Sequence, residues 1–265
     1  MKDSIFELIL LDEYSEYDSA VHNIHPVSIF IVTLAFVVTI LSFDKYETVG
    51  MLPMLLYPVF MFEMSGLPKM IILKKMMFGL VFVVGVGIFN PLLDRNVLFS
   101  ILGIEIIAGW LSFISLIIRG GLAIIAALFM VAILGMNKLI KVLYLLRVPK
   151  IFVLQLVLTF RYISVLLEEV SLTFDAYRLR SNGQKGIHFK SWGTFLGHIL
   201  LRTFDRAERI YEAMSLRGFN GEYTLGSMDR VKLKDIIFVS CWIAYFLTIC
   251  FVDIPYLIGV YVVGG

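Results

Sequence analysis

Of the chain's 265 residues, 59% are hydrophobic and 17% charged. Soluble domains carry roughly 25% charged residues, so a wholly water-soluble globule is excluded. The net charge of +2 is too small to argue for nucleic acid. The cysteines, Cys241 and Cys250, share one apolar run with no ligand-spaced neighbour, which leaves no disulfide framework or zinc site.

In chain order, residues 1–25 are acidic and amphipathic and are expected at the membrane surface. They lack the positive opening a signal peptide needs. Apolar runs predict a first span over 27–43, a second over 48–64 and a third over 76–93. The run 97–134 is too long for one helix: at 1.5 Å per residue it reaches about 57 Å, against a hydrocarbon core of about 30 Å. It divides into an outer re-entrant or surface segment, 97–108, and a fourth span, 109–135. A last span covers about 236–252, and the tail beyond it is weakly apolar. The fold class that follows is an all-α, polytopic membrane protein of about five transmembrane helices. Its regions are 1–25, a membrane domain 26–135, a charged region 136–232, and a final span with tail, 233–265. Lys69, Lys74 and Lys75 cluster after the second span, and 138–234 is rich in Lys and Arg. By the positive-inside rule both face the cytoplasm, as does the N-terminus, while Asp44–Glu47 and Asp94–Asn96 lie outside.

The charged region reads as long helices. Segment 138–148 is amphipathic and stops at Pro149, which disfavours a helical residue before it. Two further helical patterns run over 151–180 and 192–217, apolar at their starts and charged at their ends. Those ends carry one cassette twice. The first is Asp175-Ala176-Tyr177-Arg178-Leu179-Arg180-Ser181; the second, 37 residues on, is Glu212-Ala213-Met214-Ser215-Leu216-Arg217-Gly218. An aromatic, Phe174 or Tyr211, precedes each, and a helix-stop signal follows: Asn182-Gly183, or Gly218 with Asn220-Gly221. Alanine and arginine four apart share a helical face. The alanine permits close approach, and the guanidinium fork can bond carboxylates or helix-end carbonyls. A repeated end fits a repeated partner, one subunit of a symmetric or pseudo-symmetric dimer on each.

Other candidates for chemistry are sparse. No phosphate-loop pattern occurs: Gly183-Gln184-Lys185-Gly186 is too short and lacks the following Ser or Thr. No G-x-S-x-G or H-E-x-x-H pattern occurs either. His22 and His25 share a helical face but have no evident third ligand, so they read as interfacial polar residues before Pro26. Arg119, within an apolar run, is expected to face the bundle, toward Glu105 or Glu63, in a structural or partner-facing role. Met51, Met54, Met61, Met64, Met76 and Met77 offer either ordinary span packing or an adaptable surface for another membrane protein. A complete permease would need polar residues gathered at mid-membrane, and an intramembrane enzyme would need converging catalytic side chains; neither pattern is evident.

At the cassettes the sequence resembles the transmembrane T component of energy-coupling factor transporters, especially the cobalt type, CbiQ. The run from Arg206, Glu208 and Arg209 through Ala213 to Arg217-Gly218-Phe219 is similar to the family's second signature. Phe160-Arg161-Tyr162-Ile163, with Glu168-Glu169 and then Ala176 to Ser181, is similar to the first. Leu146-Arg147-Val148-Pro149 resembles the turn preceding it, and Leu11-Asp12-Glu13-Tyr14 with His22-Asn23-Ile24-His25-Pro26 resembles the family's opening. The first signature often ends Ala-Arg-Gly, where this chain has Leu179-Arg180-Ser181. The resemblance implies a prokaryotic plasma-membrane subunit without catalysis of its own. Two cytoplasmic ABC ATPases would bind ATP and magnesium and dock on the arginine-bearing ends. A separate membrane S component would hold the substrate, the implied cargo being cobalt or nickel; a T component shared among several vitamin S components is the alternative. Ala176, Leu179, Arg180, Ser181, Ala213, Leu216, Arg217 and Gly218 would then be the ATPase-coupling residues. Arg119, Pro149, Arg161, Glu168, Arg206, Glu208 and Arg209 would support them. No metal or cofactor is expected on the chain, and the connection 183–197 is expected to act as a pivot between the two helix ends.

Overall fold

A computed structural model of the chain describes residues 19, 21–46, 48–67, 69–93, 97–101, 104–181, 186–221 and 230–251. They form an all-α membrane architecture with one small hairpin. Helix α1 is Pro26–Ser42, begun by Pro26 at its first position, where a missing N–H costs nothing. His25 caps it, its Nδ1 accepting from Val27 N at 3.3 Å. A 3₁₀ segment, Val49–Leu55, carries Pro53 and continues into α2, Leu56–Ser65, which Gly66 ends in the left-handed conformation. Helix α3 is Lys69–Gly87, and a single turn, Asn90–Leu93, follows. Lys69, Lys74 and Lys75 therefore lie within the helix, whereas the sequence reading placed them before a span starting at residue 76.

Within the segment expected to be re-entrant or at the outer surface, β1 (Val97–Ile101) pairs antiparallel with β2 (Ile104–Ile107), the register irregular between Val97 and Phe99. An apolar run of this length has no period that separates strand from helix. Helix α4, Ala108–Leu145, is broken at Gly135, whose φ of 61° and ψ of 170° lie in a region essentially reserved for glycine. The break falls where the fourth span was expected to end. Helices α5, Lys150–Arg180, and α6, Trp192–Leu216, follow, with a 3₁₀ turn, Phe189–Ser191, leading into α6. Helix α7 is Leu233–Phe251. Four helical stretches, Lys69–Leu92, Ala108–Leu145, Lys150–Arg180 and Leu233–Phe251, are long and apolar enough to cross a membrane; Pro26–Ser42 and Val49–Ser65 are shorter apolar helices. The chain is thus a multi-pass membrane protein, and α5, expected beneath the membrane, also qualifies as a span by length and composition.

The described residues divide into two compact units, one comprising those up to Leu139 with 230–251, the other those from Ile140 to 221. In the first, the membrane unit, α1 packs on α7. Phe36 stacks on Tyr57 with ring centroids 4.6 Å apart, and Trp242 meets Tyr57 edge-on at 5.1 Å. The Tyr57 hydroxyl is 2.8 Å from Thr33 Oγ1, and Tyr245 donates to the Pro53 carbonyl at 2.7 Å, so neither phenol lacks a partner in the apolar interior. Met51, Met54 and Met61 are fully buried packing residues, while Met64 and Met77 are exposed.

Small residues set the approach of α3 to α4. A Cβ on Gly79 would stand 3.1 Å from Ile124, one on Gly120 would stand 2.8 Å from Val83, and one on Gly87 would stand 3.0 Å from Phe113. Each helix thus inserts a large side chain opposite the other's glycine, the usual means of close helix approach where lipid supplies no hydrophobic drive. The starts of α1 and α7 are tied by Asp235, which is 2% exposed. Its Oδ2 accepts from Lys232 N at 2.8 Å, and Asp235 N donates to the Lys232 carbonyl, a reciprocal cap at the start of α7. Its Oδ1 accepts from His25 N, the cap residue of α1, at 2.9 Å. One carboxylate therefore faces the positive ends of two helix dipoles. Lys234 donates to the Asn23 carbonyl beside it. Residues 25 and 232 accordingly lie on one side of the membrane.

Candidate functional site

Within the second unit, α5 begins at a turn dictated by Leu146-Arg147-Val148-Pro149. Val148 N donates to the Leu143 carbonyl and Arg147 N to the Tyr144 carbonyl, the paired bonds of a left-handed helix stop. Arg147 occupies the left-handed position at φ 61°, where glycine is the usual residue. Pro149 then caps α5 in extended conformation. Proline thus separates two helices in the place the sequence assigned to it.

The two cassettes close α5 and α6. Arg180 is the last residue of α5; Ser181 follows, its N–H donating to the Tyr177 carbonyl and its Oγ to the Arg178 carbonyl. Arg217 is the C-cap of α6. Gly218 follows at φ 84°, with Gly218 N bonded to the Ser215 carbonyl and Phe219 N to the Met214 carbonyl, a complete Schellman stop. The stop signal Asn182-Gly183 lies outside the described residues, as does the first part of the expected pivot 183–197. The remainder of that connection holds the 3₁₀ turn, and His188 N donates to the Tyr177 hydroxyl at 3.3 Å, drawing it back along α5.

Both ends are presented to solvent. Arg180, Arg217, Ala176, Ala213 and Gly218 are exposed and Ser181 is half-buried. Leu179 is 83% and Leu216 89% exposed. A leucine that open beside a helix-end arginine combines apolar area with a charged fork, and arginine is among the residues enriched at interface anchors.

One carboxylate bonds α5 to α6. Glu169 Oε1 accepts from Arg202 Nη1 at 2.7 Å and Oε2 from Arg206 Nη2 at 3.4 Å. The arginines are four apart on α6 and so share a face. Glu168 and Glu169 both belong to the first signature, but the support role was expected of Glu168, which is exposed. On a helix successive residues point about 100° apart, so only one of the two acids can face α6. A usable signal existed: Glu169 and Arg206 are themselves 37 residues apart, the cassette spacing. The contact joins equivalent positions of the two repeats, and each arginine-bearing end lies 11 residues beyond it. At 1.5 Å per residue each arm is about 16 Å long.

Of the remaining support residues, Arg161 is exposed, its guanidinium 5.8 Å from the Tyr162 ring centroid, and Glu208 and Arg209 are exposed on α6. Arg119 belongs to the membrane unit. It is half-buried, and its Nη2 donates to the Asp44 carbonyl at 2.9 Å and to Ser115 Oγ at 3.3 Å. Glu63 pairs with Lys69 instead. A backbone carbonyl as the acceptor has no signature in a sequence. His22 Nδ1 is 2.7 Å from Ser19 Oγ, and among the described residues no three His, Cys, Asp or Glu side chains gather as metal ligands. Cys241 and Cys250 are exposed on α7.

Comparison with known proteins places this architecture. The family of CbiQ cobalt transport proteins matches residues 18–226. Nickel permease LarQ of Lactiplantibacillus plantarum is 27% identical over 95 residues, covering 36% of this chain and 35% of the relative. An uncharacterised protein of Methanocaldococcus jannaschii is 31% identical over 106 residues, covering 39% of this chain and 36% of the relative. The chain thus matches about a third of the length of these curated relatives.

Proposed function

Because the chain belongs to the CbiQ family of cobalt transport proteins, we propose that it is the transmembrane coupling subunit of an energy-coupling factor importer, carrying cobalt or nickel into the cell. In this reading two ABC ATPases bind and hydrolyse ATP, one docked on each of the ends bearing Arg180 and Arg217. A membrane S component binds the ion. The present chain performs no catalysis and passes the closing of the ATPases to the S component. The observation that carries the proposal is the duplicated end: two exposed Leu-Arg tips, each 11 residues beyond a shared ion pair. Equal arms suit two equivalent partners. The relative named as a nickel permease favours nickel beside the cobalt of the family name.

Purification of the native chain in mild detergent tests the assembly. Two ATPase copies and one further small membrane protein should accompany it; a chain recovered alone under conditions that preserve other membrane complexes contradicts the proposal. The orientation proposed places the N-terminus and residues 138–232 in the cytoplasm, from the lysine and arginine distribution. Single cysteines replacing Lys45 or Lys185, in a background lacking Cys241 and Cys250, should differ on whole cells. An impermeant thiol reagent should label only the Lys45 site, and labelling at Lys185 from outside reverses the orientation.

A further inference from the structure

We propose that Glu169 is the fulcrum of the two coupling helices, a positioning residue that keeps α5 and α6 joined while their crossing angle changes. The inference rests on the coupling function proposed above and deepens it by naming the element that moves.

Three observations converge. Glu169 meets Arg206 across the 37-residue repeat, so the junction is at a self-equivalent point, as on a pseudo-twofold axis, and the arms beyond it are equal. A swing of about 10° about such a point carries each tip, about 16 Å away, by about 3 Å. Packing holds the arms only in part: the fully buried residues of α5 are Val153 and Leu154 and that of α6 is Phe195, all preceding the junction, while Val170, Phe174, Tyr177, Ile210 and Met214 beyond it are half-buried. Interdigitated side-chain ridges would hold a helix pair to one of a few angles, and no fully buried side chain lies on either arm to do so. Finally, the junction is a fork. One carboxylate takes two arginines a helical turn apart, one bond short and the other long, at 2.7 and 3.4 Å. Long flexible arginines can follow a rotation, and the attraction changes little over a few degrees. A fork of this kind joins the helices without selecting an angle, so the bound ATPases select it.

The test uses the complete complex in proteoliposomes, measuring uptake of cobalt and of nickel per ATP hydrolysed. Spin labels on Arg178→Cys and Ser215→Cys, in a background lacking Cys241 and Cys250, report the distance between the tips with and without ATP. Glu169→Gln keeps the side-chain shape and removes the charge. It should assemble at wild-type yield, broaden the distribution of tip distances, and lower uptake per ATP about fivefold, the scale of a partly exposed ion pair. The charge exchange Glu169→Arg with Arg202→Glu and Arg206→Glu should restore most of the loss, which a purely packing role would not allow. Three results overturn the inference: Glu169→Gln with unchanged uptake per ATP and unchanged distances, loss of the ATPases from the Glu169→Gln complex, or an assembled charge-exchange variant that remains uncoupled. Failure of the underlying coupling function is distinguishable, since it would show as absence of ATPases from the wild-type complex.

Discussion

In the membrane unit, Phe36, Tyr57, Trp242 and Phe246 form a connected aromatic cluster, Gly79 and Gly120 each admit a large side chain from the facing helix, and Asp235 caps two helix starts. In the second unit, 31-residue and 25-residue helices fully bury three side chains in all, keep a half-buried seam of residues such as Phe174 and Met214, and are bonded by one glutamate to two arginines. The difference is one of specification. Close packing and satisfied buried polar groups admit a single arrangement. A charged junction with exposed ends leaves the arrangement to whatever binds there. The coupling function proposed above would need both, a part that stands firm in lipid and a part that follows a moving partner.

The comparison can be broken first at Asp235. Asp235→Ala removes the acceptor for His25 N and Lys232 N together; the buried His25 N–H costs roughly 1–3 kcal/mol when unsatisfied, and the partly exposed Lys232 N–H adds less. Thermal unfolding of the purified protein should show a large drop, with Asp235→Asn, which retains one acceptor, between it and wild type. An Ala variant as stable as wild type would show that the α1–α7 tie does not hold the unit. Next in size is Gly120→Ala. Its Cβ would sit 2.8 Å from Val83 Cγ1, and valine is stiff at χ1, so the helices must part at a cost of about 1–3 kcal/mol. Adding Val83→Ala should recover most of that loss in the same assay, and an unaffected single variant would deny the close approach. Smallest is Arg147→Gly at the stop before α5. Relief of the left-handed φ should stabilise by about 0.5–1 kcal/mol, read as a slightly raised melting temperature of the unit. Destabilisation would mean that the Arg147 side chain does more than its backbone costs.

Much of this was legible in the residues themselves. Hydropathy located α1, α2, α4 and α7, because an apolar run of span length has few other uses. Pro149 marked a helix boundary, and the duplicated cassette marked two helix ends, because capping is local chemistry. Long-range pairing was not legible. Nothing in the order of residues says that Asp235 meets His25 N across 210 positions, though the Lys232-to-Asp235 spacing does hint at a local cap. Arg119 donates to the Asp44 carbonyl and to Ser115 Oγ, and a backbone acceptor is the same in every sequence. The choice between Glu168 and Glu169 depends on the rotation of α5 about its axis, which two adjacent acids leave open. The α3–α4 glycines have meaning only in pairs, and the hairpin at 97–107 carries no period to separate it from helix.

The central claim, that the two matched helix ends hold two ATPases, is tested most directly by the double variant Arg180→Ala, Arg217→Ala. Each arginine is exposed on the free chain and would be desolvated on docking, where losing a charge-assisted contact costs about 2–5 kcal/mol. The amount of ATPase retained per membrane subunit after affinity purification should fall to background in the double variant. Each single variant should retain an intermediate amount, Lys replacements should rescue poorly for want of the planar fork, and melting of the membrane unit should be unchanged. ATPase recovered with the double variant at the wild-type ratio would contradict the account.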